Sequence, residues 1–220
     1  MPTVGYILTA LIAYLLGSIP TGFLVGKARG IDIRAVGSGN IGATNVFRIL
    51  GRSAGVFVLL TDAAKGFVAV YVVAPVLCGW FYKGAGPMAH DWYDICAGAA
   101  AILGHNYTCW LHFKGGKGIA TSAGVLAALV TVPLFIILGV WIIVFALTRY
   151  VSLASILASF TLPFATWVVG KGSTLIIVTA ALAALAIYRH KGNIRRLVDG
   201  TENRIRFKRA SASDAMKPTI

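Results

Sequence analysis

The chain has 220 residues, of which 58% are apolar and only 12% charged, a balance that excludes an ordinary soluble domain. Its formal net charge of +13 would point to nucleic acid in a soluble protein. In so apolar a chain the charge points instead to the cytoplasmic loops of a membrane protein, and no nucleic-acid partner is expected.

A membrane span needs about 20 apolar residues. Residues 4–24 supply the first, and the preceding Met1-Pro2-Thr3 lacks the basic start of a signal peptide, so this run is expected to be retained as a helix. A polar patch follows, Gly37-Ser38-Gly39-Asn40-Ile41-Gly42-Ala43-Thr44-Asn45-Val46-Phe47-Arg48. Its glycines let a ligand approach the main chain, Ser38, Asn40, Thr44 and Asn45 offer neutral hydrogen bonds, and Arg48 offers a planar fork suited to phosphate. Residues 54–77 form the second span. Asp62 and Lys65 lie within it, three apart on one helical face; ionisable groups inside a membrane are functional candidates by default, and this reading stands beside that of a pair that neutralises itself or holds a neighbouring loop.

Residues 93–111 form the third span, ending in Gly104-His105-Asn106, and lead to Lys114-Gly115-Gly116-Lys117-Gly118. Glycine N–H groups, two ammonium groups and a following helix N-terminus read as an anion nest. A nucleoside-triphosphate loop is excluded, because Gly118 stands where Ser or Thr would follow Lys117. Residues 119–147 are nearly unbroken except for Pro133, read as a tight turn between two short spans. Residues 151–169 and 174–188 complete the set. The last patch is His190-Lys191-Gly192-Asn193-Ile194-Arg195-Arg196-Leu197, and a helix continuing past Tyr188 would place His190 and Asn193 on one face. Asp199 and Glu202 stand among cations and are expected to form ion pairs. Residues 210–220 read as a flexible polar tail, after a single membrane-embedded domain over 1–209.

The reading is therefore an all-α, polytopic integral membrane protein of about seven transmembrane helices, with short or re-entrant segments. With seven spans, 17 of the 20 lysines and arginines share one face, together with all three patches. The positive-inside rule then puts the N-terminus out and the C-terminus in. The three patches read as one phosphate-handling site on the cytoplasmic face.

Absences narrow the chemistry. No carboxylate pair stands in the patch cores, and Cys78, Cys96 and Cys109 show no zinc-type spacing, so neither metal nor cofactor is expected. No histidine is followed five positions later by aspartate, the arrangement of acyltransferases that use thioester donors. Two other classes remain in view: a small membrane transporter of anionic solutes, and a scaffold binding anionic lipids through its basic face.

Together, Gly17-Ser18-Ile19-Pro20, the run at 37–46, Gly104-His105-Asn106-Tyr107, Phe113 through Ser122, and Asn193-Ile194-Arg195-Arg196-Leu197 with Gly200 and Glu202 resemble the PlsY family. These are the acyl-phosphate:glycerol-3-phosphate acyltransferases of bacterial membranes. The resemblance implies acyl transfer from a long-chain acyl phosphate to the 1-hydroxyl of glycerol 3-phosphate, giving lysophosphatidate and inorganic phosphate at the cytoplasmic (inner) membrane. It also implies membrane lipid as surroundings and a functional link to an enzyme that makes acyl phosphate. Carried onto this sequence, it assigns Ser38, Arg48, Lys114, His190 and Asn193 to catalysis. Gly39, Asn40, Thr44, Asn45, His105, Gly115, Gly116, Lys117 and Ser152 are assigned to substrate or phosphate binding.

Overall fold

The computed structural model describes residues 2–82 and 86–205, so the tail over 210–220 lies outside the described residues. Among those described, every regular element is helical. The first apolar run forms α1 (Pro2–Ser18) and α2 (Thr21–Ala28), interrupted at Ile19-Pro20, because proline has no N–H to continue the α1 ladder. After the first patch come α3 (Ala43–Leu50) and α4 (Arg52–Val68), a π-helical turn (Ala69–Val73) and α5 (Ala74–Phe81). Helix α6 (Pro87–Asn106) starts and ends earlier than the expected 93–111, whose last residues form a separate short turn, Cys109–Leu111.

Residues 119–147 split as anticipated, into α7 (Ile119–Leu129) and α8 (Thr131–Thr148). The break falls at Val130 (φ −145°, ψ 67°) rather than at Pro133. Pro133 sits in the first turn of α8, where the missing N–H has no helical partner to lose. Helices α9 (Val151–Val168), α10 (Ser173–Arg189) and α11 (Lys191–Val198) follow.

This is an all-α integral membrane fold, but helix length and apolarity alone support fewer than seven crossings. Among the described residues four helical segments are long and apolar enough: Thr3–Ala28, Arg52–Phe81, Thr131–Thr148 and Val151–Val168. Ser173–Arg189 with Lys191–Val198, bent by 57°, makes a fifth if the two count as one span. Helix α7 has 11 residues and so extends only about 16 Å, half of a hydrocarbon core.

Two helix pairs are drawn together by reciprocal glycines. Helix α1 packs on α6 with Gly17 against the Ala101 carbonyl and Gly104 against the Tyr14 carbonyl. Helix α4 packs on α7 with Gly66 against the Thr121 carbonyl and Gly124 against that of Ala63. A Cβ at any of the four would overlap backbone, so these helices meet at a distance only glycine permits, as small residues do in lipid. Asp62 and Lys65 pair across 2.9 Å inside this bundle, and Lys65 Nζ donates to the Ile19 carbonyl at 3.0 Å. The pair thus neutralises itself and stabilises the α1–α2 break.

Candidate active site

The first patch is folded around Asn45, whose buried side chain makes three hydrogen bonds within the loop. Its Nδ2 donates to the carbonyls of Ile33 and Val36 (both 3.1 Å), and its Oδ1 accepts from the Ser38 N–H at 2.9 Å. Asn45 thereby braces the loop while also standing among the residues that line the cavity described below. Gly37 and Gly39 turn the loop with φ of 61° and 68°, and Asn40 Oδ1 accepts from the Gly42 N–H at 2.7 Å to open α3. Ser38, Asn40 and Thr44 then line a cavity of about 360 Å³, with Arg48 at its rim.

Only part of the expected anion nest lines the cavity: Lys117, Gly118 and the first turn of α7 do, whereas Gly115 and Gly116 do not. The Gly115 and Gly116 N–H groups donate to the carbonyls of Asn106 and His105 at 3.2 and 3.0 Å, closing the end of α6. Their own carbonyls accept from Arg189 Nη2 at 3.1 and 2.7 Å. Backbone amides already paired in this way cannot serve an anion. Two successive left-handed residues, His112 (φ 53°) and Phe113 (φ 60°), precede Lys114, which stays exposed and outside the cavity. Lys117 enters the cavity instead and donates to Asn193 Oδ1.

The third patch bends rather than continuing straight. Helix α10 ends at Arg189, His190 takes a non-helical ψ, and α11 sets off at 57°. The bend still turns both His190 and Asn193 inward, where they are buried and line the same cavity. His190 Nδ1 lies 2.7 Å from the Ala186 carbonyl. A carbonyl can only accept, so Nδ1 carries the proton and Nε2 presents a lone pair. Burial, reinforced by the nearby Lys117 charge, lowers His190 to about 4, leaving the imidazole neutral at physiological pH.

Two residues that carry much of the geometry were not assigned to the site from sequence. Glu202, its side chain 7% exposed, accepts hydrogen bonds from Ser152 Oγ (2.9 Å), Asn193 Nδ2 (2.7 Å) and Arg196 Nε (2.8 Å). Burial works to raise its carboxyl, but these three donors outweigh it and hold the group below the usual glutamate range. The Arg196 pair is the ion pairing expected of it; the grip on Ser152 and Asn193 is new. Arg189 is the other, through the loop carbonyls above. Its only sequence signal is its place directly before His190. Lys117 is pulled down to about 8, first by burial and then by Arg196, Arg189 and Arg48, against the opposing pull of Glu202.

Of the expected residues, the cavity gathers Ser38, Asn40, Thr44, Asn45 and Arg48, and brings His105, Lys117, Ser152, His190 and Asn193 to them. Gly39, Lys114, Gly115 and Gly116 are not among its lining. Away from these polar groups the walls become apolar: Leu126 of α7, Leu134, Ile137 and Trp141 of α8, Leu162 of α9 and Leu182 of α10. The site is therefore a cationic, amide-rich head joined to a lipid-like sleeve, and it suits an amphiphile with an anionic end.

Comparison with known proteins agrees with that chemistry. The family model described as "Glycerol-3-phosphate acyltransferase" matches residues 7–200. The chain belongs to this acyltransferase family. It is 44% identical over 202 residues to a glycerol-3-phosphate acyltransferase of Endomicrobium trichonymphae, covering 91% of this chain and 96% of that one. The fold is that of the crystal structure of PlsY (YgiH), an integral membrane glycerol 3-phosphate acyltransferase, in its glycerol 3-phosphate form. The TM-score there is 0.80 at 39% identity, covering 91% of this chain and 96% of the other. The lysophosphatidic acid form of the same enzyme matches at 0.78 and 38%, covering 91% and 95%. Membership displaces the transporter and scaffold readings: this is an integral membrane acyltransferase.

Proposed function

We propose that the protein transfers a long-chain acyl group from acyl phosphate to the 1-hydroxyl of glycerol 3-phosphate, releasing lysophosphatidate and inorganic phosphate. The observation that carries the reading is the cavity itself, in which Arg48 and Lys117 stand at the polar end of an apolar sleeve. Two anions must meet there, and the sleeve matches an acyl chain. Acyl phosphate is a mixed anhydride with a good leaving group, so the site needs no acyl-enzyme, only orientation and charge. The glycerol 3-phosphate and lysophosphatidic acid forms of the PlsY relative support the same acceptor and product.

The roles follow from the geometry. Arg48 holds the acyl-phosphate group at the rim, with Ser38 donating towards the reacting carbonyl. Lys117 and Asn193, bonded to each other with Asn193 held in turn by Glu202, bind the phosphate and hydroxyls of glycerol 3-phosphate. Ser152 keeps Glu202 in place from α9. The acceptor oxygen attacks the acyl carbon, the new C–O bond forms, and the bond from that carbon to the phosphate oxygen breaks. His190 Nε2 accepts a hydrogen bond from the attacking hydroxyl and orients it. Lowered to about 4, the imidazole is a weaker base than the departing inorganic phosphate, which is more basic than a phosphate monoester with its second pKa of about 6. The proton therefore ends on the departing phosphate.

The same reading places seven crossings in the inner membrane, N-terminus out, with the site on the cytoplasmic face. It takes α1–α2, α4–α5 and α6 to α10 as the crossings, α7 and α8 forming a short hairpin. Acyl phosphate is reactive and must come from a phosphate-transferring enzyme acting on acyl groups nearby. Purified protein given acyl phosphate and glycerol 3-phosphate should yield phosphate and 1-acyl-glycerol 3-phosphate in equal amounts. Phosphate release that is independent of glycerol 3-phosphate would reduce the protein to a phosphatase and overturn the reading.

A further inference from the structure

His105 and Asp62 both line the cavity, yet no step above uses them. They are 5% and 2% exposed and sit on α6 and α4. The His105 ring spans two neighbours. Its Nδ1 edge lies 3.7 Å from Asp62 Oδ1, and its Nε2 occupies the place where a Cβ on Gly116 would fall. Asp62 is itself anchored, by Lys65 at 2.9 Å and by Thr21 Oγ1 at 3.1 Å. On the other side, Arg189 Nη2 grips the Gly115 and Gly116 carbonyls. The turn is thus clamped between a guanidinium and an imidazole, and the next residue along it is Lys117.

We infer that Asp62 and His105 are positioning residues for Lys117. The anchored carboxylate fixes the imidazole, and the Nε2 edge of the imidazole sets the height of the 115–117 turn. That height decides whether the Lys117 ammonium reaches Asn193 and the acceptor phosphate. His105 is then a seat for the loop, where the sequence had suggested a phosphate ligand. Glycine at 116 is required because any side chain would lift the turn off the ring. The choice of glycerol 3-phosphate as the substrate affected rests on the function proposed above; the seating of the loop does not.

Two variants separate the effects. Gly116→Ala lifts the turn directly. Asp62→Asn keeps an oxygen for Thr21 and Lys65 but removes the negative charge beside the ring; because it also takes the counter-charge from the buried Lys65 ammonium, its folded fraction is measured alongside. Each should raise KM for glycerol 3-phosphate, Gly116→Ala by about tenfold, while KM for acyl phosphate changes less than about twofold, since misplacing one binding group by a fraction of an ångström acts on its own ligand. Because both act through one ring, the double variant should fall short of the product of the single effects. A general loss of fold would lower the active fraction and kcat without this selectivity.

A readout independent of turnover is the alkylation rate of Lys117→Cys in a background with Cys78, Cys96 and Cys109 replaced by alanine. Adding Gly116→Ala or Asp62→Asn should speed that reaction at least about fivefold as position 117 leaves its packed site. Faster alkylation in a protein that fails to turn over these substrates would keep the positioning inference and remove the proposed function. Normal wild-type turnover with unchanged alkylation, equal shifts in both KM values, or fully multiplicative effects would overturn the inference.

Discussion

The titration of Lys117 gives the sharpest handle on the site. Its folded pKa of about 8 lies below the ordinary lysine value of 10.5, so the ammonium is charged below about pH 8 and neutral above it. Between about pH 7 and pH 9 the charged fraction falls from roughly nine-tenths to one-tenth, and kcat/KM for glycerol 3-phosphate should fall about tenfold, since that ratio reports the free enzyme. Both substrate phosphates have finished titrating by then, with second pKa values near 6, and so do not contribute to the limb. Lys117→Arg supplies the control. A guanidinium stays charged throughout, so the variant should show a lower plateau from imperfect fit but no alkaline limb. Phosphate release followed from about pH 6.5 to 9.5 makes the comparison. A limb that survives unchanged in Lys117→Arg would falsify the assignment of Lys117 to substrate phosphate.

Other expectations follow from placement. Arg48→Lys keeps the charge but loses the two-pronged contact and should lose about 2 kcal/mol of transition-state stabilisation, roughly thirtyfold in kcat/KM; a rate within threefold of the wild type would remove the phosphate-fork assignment. Lys114→Ala, an exposed residue outside the cavity, should stay within about threefold of the wild type, as surface charges do. A greater than thirtyfold loss would show that Lys114 moves into the site. Acid-quenched mass spectrometry during turnover should find no acyl group on Ser38, and a trapped adduct would replace direct attack by a two-step mechanism. Cysteines at positions 30 and 204 should both be labelled from the cytoplasmic side of vesicles; labelling of position 204 from outside would break the seven-span topology.

Some of this architecture could be read directly from residue order and some could not. Apolar runs located nearly every long helix, because burial in lipid demands them whatever the partners are. The split of 119–147 was visible in Pro133, but its place at Val130 was not, since proline tolerates the first turn of a helix as well as the loop before it. The polar side chains of the first patch were legible because clustered amides beside lipid need a reason. Which of them face the ligand was not: Asn45 spends its three hydrogen bonds on its own loop. The sequence reading assigned catalysis to Lys114 and phosphate binding to Lys117, whereas in the fold Lys114, just after the left-handed pair at His112 and Phe113, stays outside the cavity that Lys117 lines. Glu202 was hidden by its setting, since a carboxylate in a basic segment, like Asp199 beside it, reads as a surface ion pair. Its role depends on α9 and α11 bringing Ser152 and Asn193 to the same oxygen, a tertiary event without a local signature.

The identity of the acyl donor is the most direct test of the proposed reaction. Purified enzyme in detergent should be given glycerol 3-phosphate with either a long-chain acyl phosphate or the matching acyl-CoA at the same concentration, and the formation of 1-acyl-glycerol 3-phosphate followed by mass spectrometry. Rapid product from acyl phosphate, with acyl-CoA at least about a hundredfold slower, is the predicted result, because the thioester lacks the phosphate leaving group that the cationic head receives. Equal rates with the two donors, or product from acyl-CoA alone, would contradict it.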